Sequence, residues 1–267
     1  MRIISAIFWK EFKGYFLSPV AYVVLTGFTA ISGWLFYQML NYFLRITSIM
    51  SGYMVKGQIM REWTIVDDIM GPLYKNLSLF LIILVPGITM RLFSEEKKLK
   101  TEELLLTCPI RMGQVVIGKY LAALALLFLM LIPVGVYLLM ILIYGTEPDP
   151  GTLIAGYLGL FLVAFSLAAI GIFASALTEN QIIAFFVCAV IGLFFFSIGL
   201  ASRSVGAVTL FSRQIDFAEF LRQLSLFEHY SHIASGRIQI TDLVYFLMII
   251  IFFLFAARVN AESARWS

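Results

Sequence analysis

Long apolar runs alternate with polar stretches along this chain, and their lengths set the first expectations. From Gly14 to Leu44 no residue is charged. At about 1.5 Å per residue that run exceeds the roughly 20 residues a membrane-crossing helix requires. Ser18 and Pro19 stand where a helix should start, a capping side chain followed by a residue tolerated in the first turn, so a span is predicted over 19–44. A second is predicted over 73–93, although its uncharged stretch is only Asn76 to Met90 and Pro86 lies inside it; Lys75 and Arg91 must snorkel at its ends. The charge-free run Tyr120 to Thr146 gives a third over 119–145, ended by the turn-rich stretch Gly145 to Gly151. A fourth over 152–177 and a fifth over 181–200 are joined only by Thr178, Glu179 and Asn180, and a sixth occupies 243–257.

Other segments are periodic without spanning. Residues 1–17 place Ile4, Phe8, Phe12 and Phe16 four apart, the pattern of a helix lying in a membrane interface. Lys10, Glu11 and Lys13 interrupt the apolar core a cleaved secretory signal needs, which argues against that reading. Within 201–242, Phe217, Phe220, Leu221, Leu224 and Phe227 keep a helical period, which predicts short re-entrant helices in the outer leaflet. In the fourth span Ala155, Gly159, Ala164, Ala168, Gly171 and Ser175 form a stripe of small side chains; close helix packing is preferred over a substrate groove as its use.

The stretch from Arg91 to Tyr120 breaks the apolar pattern. It holds Arg91, Glu95, Glu96, Lys97, Lys98, Lys100, Glu102, Glu103, Arg111 and Lys119, and a single charge at the bilayer centre costs roughly 3 kcal/mol on insertion scales. The segment therefore lies in water at a membrane face. Leu104, Leu105 and Leu106 make a short apolar ridge that Pro109 stops within a turn, and an exposed ridge of this kind calls for a partner.

Composition agrees with the pattern: 61% of the 267 residues are hydrophobic and 13% charged, far from the roughly 25% charged of soluble domains. A net charge of +3 without a Lys/Arg cluster argues against nucleic acid as a partner. With the amino terminus inside and six spans, eleven basic residues fall on the inner side and eight on the outer, a modest vote for two cytosolic termini. Cys108 and Cys188 lie in segments of different depth, so no disulfide is expected.

Candidate chemistry is sparse. Gly113 to Tyr120 approaches a phosphate-binding loop, but Tyr120 stands where a Ser or Thr must reach magnesium, and the lysine leads into a span rather than following a strand. The chain is therefore expected not to be an enzyme and to hold no cofactor. Asp67 and Asp68 are adjacent and point in different directions on a helix, the mark of a solvated loop. His229 and His232, three apart beside Glu228, would share a helix face, yet a stable metal site needs three or four ligands; a structural role is preferred, and no metal site is expected. Spans with no acidic pair and no Gly-x-Ser-x-Gly element argue against a polytopic membrane enzyme acting on lipids, one alternative function. Another is a non-transporting scaffold holding an outer complex through 45–75 and 201–242.

The acidic pair Glu95-Glu96, the basic Lys97-Lys98, Thr101-x-Glu103-Leu104-Leu105-Leu106-Thr107, Pro109 and then Gly118-Lys119 entering a span resemble the first cytosolic loop of ABC type-2 exporter permeases. The tail from Leu224 to Phe255 is similar to the gliding-motility subgroup. One position departs from the family pattern: Lys100 stands where a glycine commonly precedes the Thr-x-Glu. The resemblance implies an all-α permease of one domain, 1–267, with an elbow helix over 1–17, a coupling loop over 94–118 and small outer helices between spans five and six. It implies that Glu95, Glu96, Thr101, Glu102, Glu103, Leu104, Leu105, Leu106, Thr107 and Pro109 couple to a separate ABC ATPase, which binds ATP and magnesium. A second permease copy, membrane lipid, an accessory outer-face subunit and a bacterial inner-membrane location belong to the same expectation.

Overall fold

The computed structural model describes residues 2–54, 69–101, 111–145, 148–202, 208–210, 213–215 and 217–263. Among them are ten helices and one small hairpin. Helix α1 (Arg2–Leu17) is followed, across Ser18, by α2 (Pro19–Met54), α3 (Gly71–Thr89), α4 (Arg91–Lys98), α5 (Met112–Tyr144), α6 (Pro150–Leu177) and α7 (Gln181–Ser202). Strands β1 (Val208–Leu210) and β2 (Arg213–Ile215) pair antiparallel, Thr209 opposite Gln214. Short helices α8 (Phe217–Gln223) and α9 (Leu226–Ala234) precede the last long helix, α10 (Ile240–Ser263).

Six helices are long and apolar enough to cross a membrane, so the protein is an all-helical, multi-span membrane protein apart from the hairpin. Several bounds differ from the hydropathy reading. Helix α2 runs on to Met54, since Arg45 is a single charge in a stretch that otherwise keeps apolar residues such as Ile46 and Ile49. Helix α5 begins at Met112 rather than 119 and carries Lys119 within its third turn. The predicted span over 73–93 falls within one apolar crossing, Gly71–Lys98, in which α3 gives way to α4 at Met90. Pro86 removes one amide from the ladder, and Ser175 of α6 captures the amides of Phe93 and Ser94, which makes the break tenable inside packed protein. The re-entrant helices expected in 201–242 are joined there by the β1–β2 hairpin.

The start signal read at Ser18 acts as expected, and Asp149 and Asn180 supply two more. Ser18 Oγ accepts from Val20 N, Asp149 Oδ1 from Gly151 N, and Asn180 Oδ1 from Ile182 N, each satisfying an amide that the helix itself cannot. Hydrogen bonds from Thr152 Oγ1 and the Gly151 amide hold the Asp149 carboxyl below its usual range.

Helix α6 is the axis of the bundle: 78% of its spanning window is buried, against 17% for α2. It packs on α3, α4, α5, α7, α9 and α10. The small-residue stripe is what permits this, as all six of its residues are buried. A Cβ on Gly171 would fall 2.0 Å from Thr89 Oγ1, and one on Gly159 would fall 3.0 Å from the Tyr230 ring. Close packing, not a groove, is the use of the stripe at these positions. On the other side, α2 meets α5 through Phe36 stacked on Tyr137 at 4.8 Å and Ser32 Oγ within 3.3 Å of Tyr137 Oη.

Gly171→Ala is expected to lower stability by about 1–3 kcal/mol, because Thr89 must be displaced from a packed interface. Thr89→Ala in the same chain should restore part of that loss, measured by thermal unfolding in detergent; equal melting of wild type and the glycine variant would contradict the contact.

Candidate functional site

The charged stretch predicted to lie in water begins at α4, and α4 is held by contacts from three other helices. Its first turn is capped from another helix. Ser175 Oγ accepts from Phe93 N at 2.9 Å and Ser94 N at 3.1 Å and lies 2.9 Å from the Met90 carbonyl, to which it donates. Ser94 Oγ donates in return to the Ser175 carbonyl at 3.1 Å. Farther along, Lys97 Nζ donates to Ala176 O at 2.6 Å, answering one of the carbonyls left open at the end of α6.

Lys119 of α5 supplies the second hold. Its side chain is 1% exposed, yet its three ammonium hydrogens all have acceptors: Glu11 Oε1 at 3.0 Å, Glu96 Oε2 at 2.9 Å and the Leu92 carbonyl. Phe93 places its ring 5.0 Å from the same nitrogen. Glu96 Oε1 then accepts from Lys10 Nζ at 2.9 Å, so two cations and two carboxylates form one neutral cluster. That cluster ties α1, α4 and α5 together. Lys10, outside the spans, is exposed to burial, which pulls its pKa down, and to Glu96 and Glu11, which together outweigh burial and raise it.

Glycine 118 makes the approach possible. A Cβ there would meet Ile7 Cγ2 at 2.8 Å and the Ile4 carbonyl at 3.3 Å, so α1 lies directly on the backbone of α5. Arg91 reinforces the same joint, donating to the Gly14 carbonyl and stacking 4.7 Å above the Tyr15 ring. The Gly118-Lys119 pair that resembled part of a nucleotide loop is thus a structural joint. Beside it, an open cleft of about 550 Å³ between α1 and α4 is lined by Lys10, Glu11, Arg91, Glu95 and Thr101, among others.

The end of α4 explains the departure at Lys100. Lys100 N donates to Lys97 O and Thr101 N to Glu96 O, both at 3.0 Å, the paired bonds of a Schellman cap. Lys100 sits at the left-handed position of that cap, with φ of 56°. Glycine takes this conformation freely, whereas a side chain costs roughly 1 kcal/mol.

Of the predicted coupling residues, Glu95 and Thr101 are exposed and Glu96 is turned inward to Lys10 and Lys119. Glu102, Glu103, Leu104, Leu105, Leu106, Thr107 and Pro109 lie outside the described residues, as does Cys108. Sequence reasoning missed Glu11 and Glu96 as partners of Lys119, and Lys10 as the second partner of Glu96. The available signal was a lysine two turns inside an apolar helix, which must find a counter-charge.

At the other end of α6 a second polar group is assembled. His229 Nδ1 lies 2.6 Å from Asp242 Oδ1, and His232 Nδ1 lies 3.4 Å from the same oxygen. The carboxylate expected beside the two histidines in sequence, Glu228, is replaced in this role by Asp242 from the first turn of α10.

Lys119→Met is expected to destabilise the protein by about 3–5 kcal/mol, since it leaves two partly buried carboxylates with only the more exposed Lys10 between them. Adding Glu96→Gln should recover part of the loss in a double-mutant cycle of unfolding free energies; strict additivity would show that the two groups do not interact. Lys100→Gly should stabilise the α4 cap by roughly 1 kcal/mol, read as slower amide exchange at Thr101.

A search among curated proteins found no match. The family described as ABC-2 family transporter protein matches residues 5–260, nearly the whole chain. Members of that family are non-catalytic membrane subunits whose ATPase is a separate subunit, and the six apolar helices agree with a membrane subunit. The chain belongs to the ABC-2 family of transporter proteins and is a membrane permease subunit of that kind.

Proposed function

We propose that this chain is the permease half of an ATP-driven exporter, with residues 102–110 docking on the ATPase through Leu104, Leu105 and Leu106. The observation that carries the proposal is the immobilisation of both flanks of that segment. Helix α4 is bound to α6 through Ser175 and to α5 through Lys119, and α5 begins directly after the segment. A push that reaches either flank is therefore passed to packed helices. Exposed Glu95 and Thr101 supply polar rim contacts, and the leucine ridge supplies the buried anchor.

Within this reading the ATPase binds ATP and magnesium, and a second copy of the chain or a related one completes the permease. Both termini are cytosolic, supported by the split of eleven basic residues inside against eight outside, and the membrane is the bacterial inner membrane. Similarity of the Leu224 to Phe255 tail supports placement in the gliding-motility subgroup, where an accessory outer-face subunit is expected.

Leu105→Asp is expected to abolish co-purification of the ATPase while membrane insertion stays normal. Labelling of Cys108 in the same cells with impermeant and permeant thiol reagents should place the segment in the cytosol. Undiminished co-purification, or labelling from outside, would overturn the proposal.

A further inference from the structure

The group at the α9–α10 junction has the makings of a ligand site that the coupling machinery does not use. It lies near the opposite end of α6: Tyr230 and Ile233 of α9 pack on Gly159, and Ala234 near Gly156, about 28 Å along the helix from Ser175. Three ligand atoms, one each from His229, His232 and Asp242, lie within 4.8 Å of one another.

With a neutral His229 ring the hydrogen-bonding pattern does not close. His229 Nε2 is 2.9 Å from the Gln223 carbonyl, which can only accept, so this nitrogen carries the ring proton. In the neutral ring, Nδ1 is then a bare lone pair, and it faces the Asp242 carboxylate at 2.6 Å. Two acceptors at that distance need a cation between them, either a second ring proton or a metal ion. Asp242 is 1% exposed, and its second oxygen, Oδ2, is buried without a hydrogen-bond partner. An ionised carboxylate so placed is costly unless compensated.

The surroundings are those of a ligand set held in place. A backbone carbonyl accepting from the distal nitrogen fixes the tautomer that presents Nδ1, as in metal-bound histidines generally. Tyr245 stacks on the His229 ring at 4.0 Å and is itself anchored by donating to the Leu224 carbonyl at 2.6 Å. The His232 side chain is 38% exposed, which leaves an entry path and room for water as a further ligand.

We propose that His229, His232 and Asp242 bind a divalent transition metal ion, zinc by preference, joining α9 to the first turn of α10. Two imidazoles and one carboxylate suit zinc and its late first-row neighbours, with water in the fourth position. Ligand atoms at about 2.0 Å from a tetrahedral ion are about 3.3 Å apart. His232 and Asp242 already stand at 3.4 Å, while His229 and Asp242 must part by less than about 1 Å, a side-chain movement.

The test uses the full chain in detergent, its purification tag removed and stripped with chelator, titrated with Co2+ and then with Zn2+ in competition. Expected are about one equivalent of bound metal, the visible absorption of tetrahedral Co2+, and affinity weakened by about a hundredfold in His232→Ala. Zinc X-ray absorption of the wild-type protein should show two imidazole ligands; this reading needs no variant, because His229 and His232 are the only two histidines in the chain. Absence of stoichiometric binding, a zinc site without two imidazoles, or unchanged affinity in His232→Ala would each overturn the proposal, and the first would leave a proton as the bridge between His229 and Asp242.

Discussion

A buried ammonium group admits few solutions, and the inner corner of this protein is built around one. Lys119 has lost its water, so each of its hydrogens must meet an oxygen; the oxygens come from Glu11 on α1 and from Glu96 and the Leu92 carbonyl on α4. Satisfying that one charge fixes where α1 lies on α5 and how α4 leaves α3. The requirement is electrostatic, but its consequence is mechanical. A helix that would otherwise peel into the interface is held against the bundle at the place where the charged segment begins.

The break between α3 and α4 depends on a similar exchange among backbone groups. Freed amides at a helix break are expensive away from water, and Ser175 answers two of them while Lys97 answers a carbonyl of α6. Only a small side chain on α6 can reach the break, because Gly171, one turn earlier, brings Thr89 close to the α6 backbone. Packing and polar satisfaction are therefore one design here: the glycine sets the distance that the serine spans. In this member of the ABC-2 transporter family the joint ties α4 firmly to α5 and α6.

The far end of α6 uses the same kind of contact for another purpose. Gly156 and Gly159 admit Tyr74 and Tyr230, and the resulting seat for α9 brings His229 and His232 to the first turn of α10. Asp242 is favoured there by the amino-terminal end of the helix dipole, yet one of its oxygens is left without a hydrogen-bond partner. One helix thus organises two polar groups at its opposite ends.

Hydropathy along the chain was enough to establish a membrane protein with six helices of spanning length and a separate first helix, because burial in lipid and helical period are properties of neighbouring residues. Capping by Ser18 and the packing role of Gly159 and Gly171 were legible for the same reason. What the amino-acid order left open were the pairings across long separations: Lys119 with Glu11, Ser175 with the amides of Phe93 and Ser94, and, over a shorter distance, Asp242 in place of Glu228 beside the histidines. No local pattern encodes which distant carboxylate meets which cation. That choice follows from how the helices pack, and here the packing is set by α6, where a missing Cβ lets one backbone come close enough for another helix's polar groups to find it.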